Sequence, residues 1–288
     1  MKGGVGSGQD QDPFRIPSRF CSYLAARVRT LPACGSMQEL IPKSLVSAVR
    51  AARSVVVLTG AGVSAESGIP TFRDAMEGLW AKYDAYALAT PEGFEKDPVL
   101  VTKWYDMRRR LCGQAQPNPA HQALARWQAR MQEQERKFTL VTQNVDRLHQ
   151  AAGSIGVLEL HGTLWVWCCT GCGEEREERE VPFREHPPRC AKCGQNRRPG
   201  VVWFGEMLPE AVLAEATRAT EACDLFLSIG TSSVVFPAAG LLDSAVARKI
   251  QTVEINPEET AAAGSVDWAL RGKAGEILPQ LVALALGE

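Results

Sequence analysis

The chain has 288 residues, 45% of them hydrophobic, enough to bury the core of one large domain with a smaller one beside it. Its 32 basic and 33 acidic residues leave a net charge of -1, and no block of Lys and Arg forms a nucleic-acid footprint or a membrane-surface patch. No apolar run approaches the roughly 18 residues of a membrane-spanning helix, so a water-soluble protein is expected.

Residues 13 to 36 carry Arg15, Arg19, Arg27 and Arg29 and no acid, a composition compatible with an organellar transit segment, although Asp10 and Asp12 oppose it. Residues 1–36 read first as a disordered extension, with Met37 as the alternative start. The apolar spacing over 38–53 predicts an amphipathic helix, and "SVVVLTG" after it predicts a buried parallel strand. Similar strands are expected at 138–144, 225–231 and 251–256, with helices over 118–135 and 207–222 between them. This alternation specifies an α/β fold: a doubly wound, Rossmann-like parallel sheet that binds ligands beyond the carboxyl ends of its strands. The sheet domain takes 38–70, 118–160 and 201–288, whereas 71–117 and 161–200 break the alternation. Those two inserts are expected to form a small domain across a cleft from the sheet.

Gly60, Gly62 and Ala65 satisfy the loose G-x-G-x-x-G/A pattern directly after a strand, where small residues let the backbone and its free amides approach a pyrophosphate. A dehydrogenase would follow this turn with a second strand ending in Asp or Glu about 20 residues on. No such strand follows here, so a dinucleotide bound at the turn need not pass a hydride. Asn256, ending the strand "QTVEIN", is the candidate ribose contact.

Nine cysteines in a chain of this length, without the apolar stretch of a secretion signal, point to metal rather than disulfides. Cys169 and Cys172, with Cys190 and Cys193, have the spacing of a four-thiolate zinc ribbon, while Cys168 introduces a register ambiguity. A closed thiolate shell leaves no place for a reacting water, so one structural zinc is expected, and with it a zinc-ribbon/helical character for the small domain. Zinc ribbons also bind nucleic acids, but the acidic run "EEREERE" opposes that role and reads as a solvated face.

"GAGVSAESGIPTFR", "TQNVDRLHQAAG", "LHGTL", the two Cys-x-x-Cys pairs, "VVWFGE", "GTSSVV" and "INPE" occur in the order found in the sirtuins, which this chain resembles from about residue 38 to its end. Sirtuins are NAD-dependent protein lysine deacylases that consume NAD as a co-substrate. The resemblance implies that 37–288 is one catalytic domain and that Gly60, Ala61, Gly62, Ser64 and Ala65 cradle the diphosphate. It places Phe72 and Arg73 over the reacting ribose, and Gln143, Asn144, Val145 and Asp146 at the nicotinamide-ribose end. Gly230, Thr231, Ser232, Asn256 and Ala274 would hold the adenosine half. Of four histidines, only His161 stands in the family's "HG" position, where a base takes a proton from the ribose diol after the acyl oxygen has displaced nicotinamide. His121 and His149 read as structural, and His186, in a Pro-rich loop, as solvent-exposed.

"WYDMRRRL" places Tyr105 and Arg108 three apart on one helix face, where a phenol and a guanidinium can grip a carboxylate; composition alone allows a plain basic face continued by Arg109 and Arg110. The pair matches the Tyr-x-x-Arg of class III sirtuins, and Ala89 their widened acyl pocket, which implies removal of succinyl and malonyl as well as acetyl groups. Val202 and Trp203 would pair with an acylated peptide by strand addition. The products would be free lysine, nicotinamide and O-acyl-ADP-ribose. The residues leave open a mono-ADP-ribosyltransferase on the same NAD site and a non-catalytic zinc-ribbon protein. The short cysteine linker and the Ala/Arg-rich composition look bacterial, so the cytoplasm is expected, or the mitochondrion if 1–36 is a transit segment. No motif fixes an oligomeric state.

Overall fold

The computed structural model describes residues 41–71 and 85–288. The 1–36 extension and the segment holding Phe72 and Arg73 lie outside the described residues.

Six strands form one all-parallel sheet: β1 (Ser54–Thr59), β2 (Lys137–Thr142), β3 (Leu158–Glu159), β7 (Leu225–Ile229), β8 (Gln251–Asn256) and β9 (Trp268–Arg271), in the order β3-β2-β1-β7-β8-β9. Successive residues of β1 serve opposite faces, which is why it reads as an unbroken apolar run. Val55 and Val57 pack with Leu45 and Val49 of α1 (Lys43–Ala51), Leu124 and Trp127 of α6 (Pro119–Glu133), and Leu278 and Leu281 of α10 (Ala274–Leu286). Val56 and Leu58 pack with Ala216 of α8 (Glu210–Glu221) and Leu241 and Leu242 of α9 (Ala239–Ala247). The sheet is thus doubly wound, as the alternation predicts. The chain runs outward from β1 on one side through β2 and β3, and from β7 on the other through β8 and β9, so the strand order reverses between β1 and β7. Ligands of such sheets bind at that reversal.

The first insert supplies α3 (Ala85–Leu88), α4 (Pro91–Lys96) and α5 (Pro98–Gln114). The starts of α4, α5 and α6 are written alike: a capping side chain, then proline at the first helical position. Thr90 accepts the amide of Gly93 at 3.1 Å, Asp97 that of Leu100 at 2.9 Å, and Asn118 that of Ala120 at 3.0 Å. The second insert is an antiparallel ribbon in which β4 (Gly162–Cys169) pairs with β5 (Glu175–Glu177) and with β6 (Arg197–Val201).

The inserts are joined through buried charge. Arg109 of α5, fully buried, donates to Asp106 at 3.0 Å and to the carbonyls of Glu178 at 2.7 Å and Glu180 at 3.0 Å, while its guanidinium stacks on Phe183 at 4.1 Å. Asp106 also accepts the Phe183 amide at 2.9 Å and bonds His186 Nε2 at 3.0 Å. His186 is therefore a half-buried partner of Asp106, which corrects its reading as a solvent-exposed loop residue. The arginines of α5 also diverge: Arg109 is buried, Arg108 half-buried and only Arg110 exposed, so they do not form one solvated basic face.

Candidate active site

Where the strand order reverses, two loops cross in backbone contact. The Gly60 amide donates to the Ile229 carbonyl at 3.0 Å, and the Gly62 amide to the Gly230 carbonyl at 2.8 Å. Gly230 has φ +60, and a side chain there would come within 2.5 Å of the Val63 nitrogen; one on Gly62 would meet Gly230 Cα at 2.8 Å. The glycines are required for this crossing, and the amides of Gly60 and Gly62 are consumed by it, which corrects the expectation that they stand free for a pyrophosphate. Ala61, Ala65 and Ser232 lie exposed around the crossing.

Ser64 turns inward. Its hydroxyl donates to Asp146 Oδ2 at 2.8 Å and accepts Asn144 Nδ2 at 3.1 Å, so it braces the floor of the site. Asp146 Oδ1 accepts the Leu148 amide at 2.8 Å; burial pushes its carboxyl up, against these two bonds. Beneath lie His121 and His149, with ring centroids 4.7 Å apart. His121 Nδ1 accepts the Asn118 amide at 3.3 Å, and His149 Nε2 meets the Thr59 hydroxyl at 2.9 Å. Burial pushes His121 down to about 4 and His149 to about 3, so both are neutral structural residues near pH 7, as expected from their positions.

His161 stands between the sheet and the ribbon. Its Nδ1 lies 3.1 Å from the Gln143 carbonyl, a partner that can only accept, so Nδ1 carries the proton and Nε2 is left as the basic nitrogen. Burial lowers its pKa, against the bond to Gln143. The following Gly162 has φ +68, and a side chain there would collide with the Gly200 carbonyl, which accounts for the His-Gly pair. Gln143 also reaches across the reversal, its side-chain amide donating to Thr231 Oγ1 at 3.0 Å. Asn256 donates to the Thr231 carbonyl at 2.8 Å and accepts the Glu258 amide at 3.1 Å, so its amide braces the loop it was expected to serve as a ribose reader. Val145 carries Leu164 on its carbonyl at 3.0 Å. Ala274 begins α10, where the Gly275 amide is capped by Glu66 Oε1 at 2.8 Å, a contact without a sequence signal.

The expected acyl end joins to His161 through the backbone: the Val202 amide donates to the His161 carbonyl at 3.0 Å, and the Phe204 amide to the Ala89 carbonyl at 2.9 Å. The Trp203 amide donates to Glu206 Oε2 at 2.8 Å. With both amides taken, an added strand could pair with Val202 and Trp203 only through their carbonyls. Trp203 is buried, its indole Nε1 donating to the Tyr105 hydroxyl at 2.8 Å. Burial raises Tyr105 to about 12, so it is a neutral phenol. The Arg108 guanidinium lies 4.7 Å from the Trp104 ring centroid and 5.6 Å from that of Tyr105, and it has no hydrogen bond or ion pair among the described residues.

Cys169, Cys172, Cys190 and Cys193 bring their sulfurs within 4.8 Å of one another, with Cys169 3.3 Å from Cys193 and Cys172 3.7 Å from Cys190. Zn–S bonds of about 2.3 Å in a tetrahedron separate sulfurs by about 3.8 Å, so the cluster fits one zinc. The amides of Gly171 and Cys172 each point at Cys169 Sγ from 3.4 Å. Cys168 takes no part; its thiol faces Glu175, which resolves the register.

A doubly wound sheet with a glycine crossing at its reversal, a half-buried imidazole beside it and a four-thiolate ribbon define a dinucleotide-using α/β enzyme. The Sir2 family model matches residues 60–237, and the chain belongs to the Sir2 family. It is 49% identical over 245 residues to the NAD-dependent protein deacylase of Methylococcus capsulatus, covering 83% of this chain and 94% of that one. It is also 49% identical over 247 residues to NAD-dependent protein deacylase 1 of Pseudomonas aeruginosa, covering 83% and 97%. Among solved structures, a Sir2 homologue in complex with NAD superposes with a TM-score of 0.80 at 46% identity, covering 86% of this chain and 94% of that chain. A Sir2 complex with an inhibitor, 2'-O-acetyl-ADP-ribose and a deacetylated p53 peptide gives 0.73 at 30% identity, covering 85% and 99%.

Proposed function

We infer that the protein removes acyl groups from lysine side chains with NAD as co-substrate, and that it favours acyl groups ending in a carboxylate. The first half rests on the Sir2 family: the chain is an NAD-dependent, sirtuin-type enzyme, and relatives alike over more than nine-tenths of their own length are named NAD-dependent protein deacylases. The glycine crossing, bare of side chains, and the exposed Ala61, Ala65 and Ser232 fit a dinucleotide lying over the strand ends. Bound NAD supplies an activated ribose carbon with nicotinamide as its leaving group. His161 accepts a proton at Nε2, the nitrogen left bare by the Nδ1 bond to Gln143, and burial keeps that nitrogen unprotonated at neutral pH. Asn144 and Asp146, braced by Ser64, line the floor beside it.

The second half rests on one observation: Arg108, a half-buried cation with no ion pair or hydrogen bond among the described residues, beside a neutral Tyr105 hydroxyl. A guanidinium and a phenol together donate to a carboxylate in a charge-assisted pair, whereas an acetyl group offers them nothing. Acetyl-, malonyl- and succinyl-lysine forms of one peptide, assayed with NAD, test both halves. The expected result is nicotinamide release with all three and a higher kcat/KM for the acidic acyl groups. An Arg108→Met variant should lose most of the succinyl-over-acetyl preference; an unchanged ratio would remove the carboxylate grip.

A further inference from the structure

We propose that Trp203 is a positioning residue for acyl selection, holding the Tyr105 hydroxyl so that its proton faces the acyl carboxylate beside Arg108. The proposal rests on the acidic-acyl reading above and concerns how that preference is produced.

An indole N–H can only donate, so at 2.8 Å the Tyr105 oxygen must accept it. The phenol's own proton then points away from Trp203, and it has no acceptor among the described residues. Without the indole, the hydroxyl could turn to present a lone pair, which would repel a carboxylate. Trp203 is itself fixed on several sides. Its amide donates to Glu206 Oε2 at 2.8 Å, the Arg198 guanidinium lies 3.5 Å from its ring centroid, and Arg198 donates to Glu206 at 2.5 and 2.9 Å. The Phe94 ring packs 5.5 Å away, and Trp203 is 3% exposed. Trp104 lies edge-on to Tyr105 with centroids 4.4 Å apart and carries Arg108 over its face. Two aromatic residues thus orient the two donors, Trp203 through the phenol oxygen and Trp104 through the guanidinium.

The experiment is a double-mutant cycle with zinc-loaded protein, reading the ratio of succinyl- to acetyl-peptide kcat/KM in wild type, W203F, Y105F and W203F/Y105F. Trp203→Phe removes the N–H and keeps an aromatic ring. Replacement of Trp203 by benzothienylalanine, which puts sulfur in place of N–H, keeps the shape as well and covers the case in which phenylalanine leaves a cavity. The succinyl/acetyl ratio should fall about tenfold in both Trp203 variants, chiefly through KM for the succinyl peptide, and should fall no further when the Trp203 change is made in Y105F. An unchanged ratio in both Trp203 variants, or an equal fall in the presence and absence of the Tyr105 hydroxyl, would overturn the positioning role while leaving the acidic-acyl reading intact. If Y105F and R108M themselves leave the ratio unchanged, the underlying reading fails instead.

Discussion

The Nδ1 atom of His161 is tied to the Gln143 carbonyl at 3.1 Å, and the Gln143 side chain to Thr231 Oγ1 at 3.0 Å, so the imidazole is suspended from the loops on both sides of the strand-order reversal. A general base of this kind contributes about 10²–10⁴-fold to rate. His161→Tyr should therefore lose formation of free lysine and O-acyl-ADP-ribose by about that factor while keeping its zinc and its melting temperature. Because burial holds this histidine below its usual value, the neutral, active form persists as the pH falls, and the acid limb of kcat/KM should lie below about pH 6.5. A limb above that value would contradict the assigned environment.

His121 and His149 make folding sensitive to acid. Both titrate near 6.5 when unfolded but only at about 4 and about 3 when folded, so between those limits the unfolded chain binds more protons. Stability is complete above about pH 6.5 and declines below it, by about 2 kcal/mol per histidine on going from pH 7 to pH 5. Urea denaturation at the two pH values checks this, and His149→Gln should flatten the dependence by about one histidine's share.

Zinc should hold the ribbon together. One zinc per chain is expected by mass spectrometry, and stripping it with a strong chelator should disorder the ribbon, seen as altered emission from Trp165 and Trp167. Cys172→Ser should do the same, since the free energy of a four-thiolate site, about 10–16 kcal/mol in small zinc peptides, is largely folding free energy.

Asp106 neutralises a guanidinium that reaches no water. Asp106→Ala should cost about 3–5 kcal/mol in urea denaturation because Arg109 remains buried and charged, and adding Arg109→Met should recover part of that loss.

Gly230→Ala should cost more than its single methyl suggests. The left-handed backbone alone costs about 1–2 kcal/mol, and the new carbon would sit 2.5 Å from the Val63 nitrogen. The melting temperature should drop, and KM for NAD should rise as the crossing opens.

The parts of this fold that could be read in one dimension are those with a local physical signal. Strand β1 announces itself because two buried faces need an unbroken apolar run, and the cysteine pairs because one ion demands that spacing. Strand β9, "WALR", is a four-residue edge strand with exposed alternate positions, and β3 has two residues, so neither carries a period long enough to detect. The last helix, α10, carries Pro279 inside it, which argues against a helix locally and is overridden by packing of Leu278 and Leu281 against the sheet. In the site, motif order was enough to single out His161, Gln143 and Asn256. What those side chains touch was not legible, because each contact joins distant segments: Trp203 and Tyr105 stand 98 positions apart, and Arg109 and Glu178 stand 69 apart. His186 was misread for the same reason, since nothing in a Pro-rich loop says that a buried carboxylate waits on another element.

The contacts of Arg109 bear on how this architecture can be taken apart. One guanidinium closes the interior between a helical insertion and a metal-ribbon insertion that enter the chain at different points. Neither insertion is a cassette. A chimaera that swaps α5 alone would carry Asp106 and Arg109 away together and leave the Glu178 and Glu180 carbonyls, the Phe183 amide and His186 without their partners, so α5 and the ribbon segment have to be moved together.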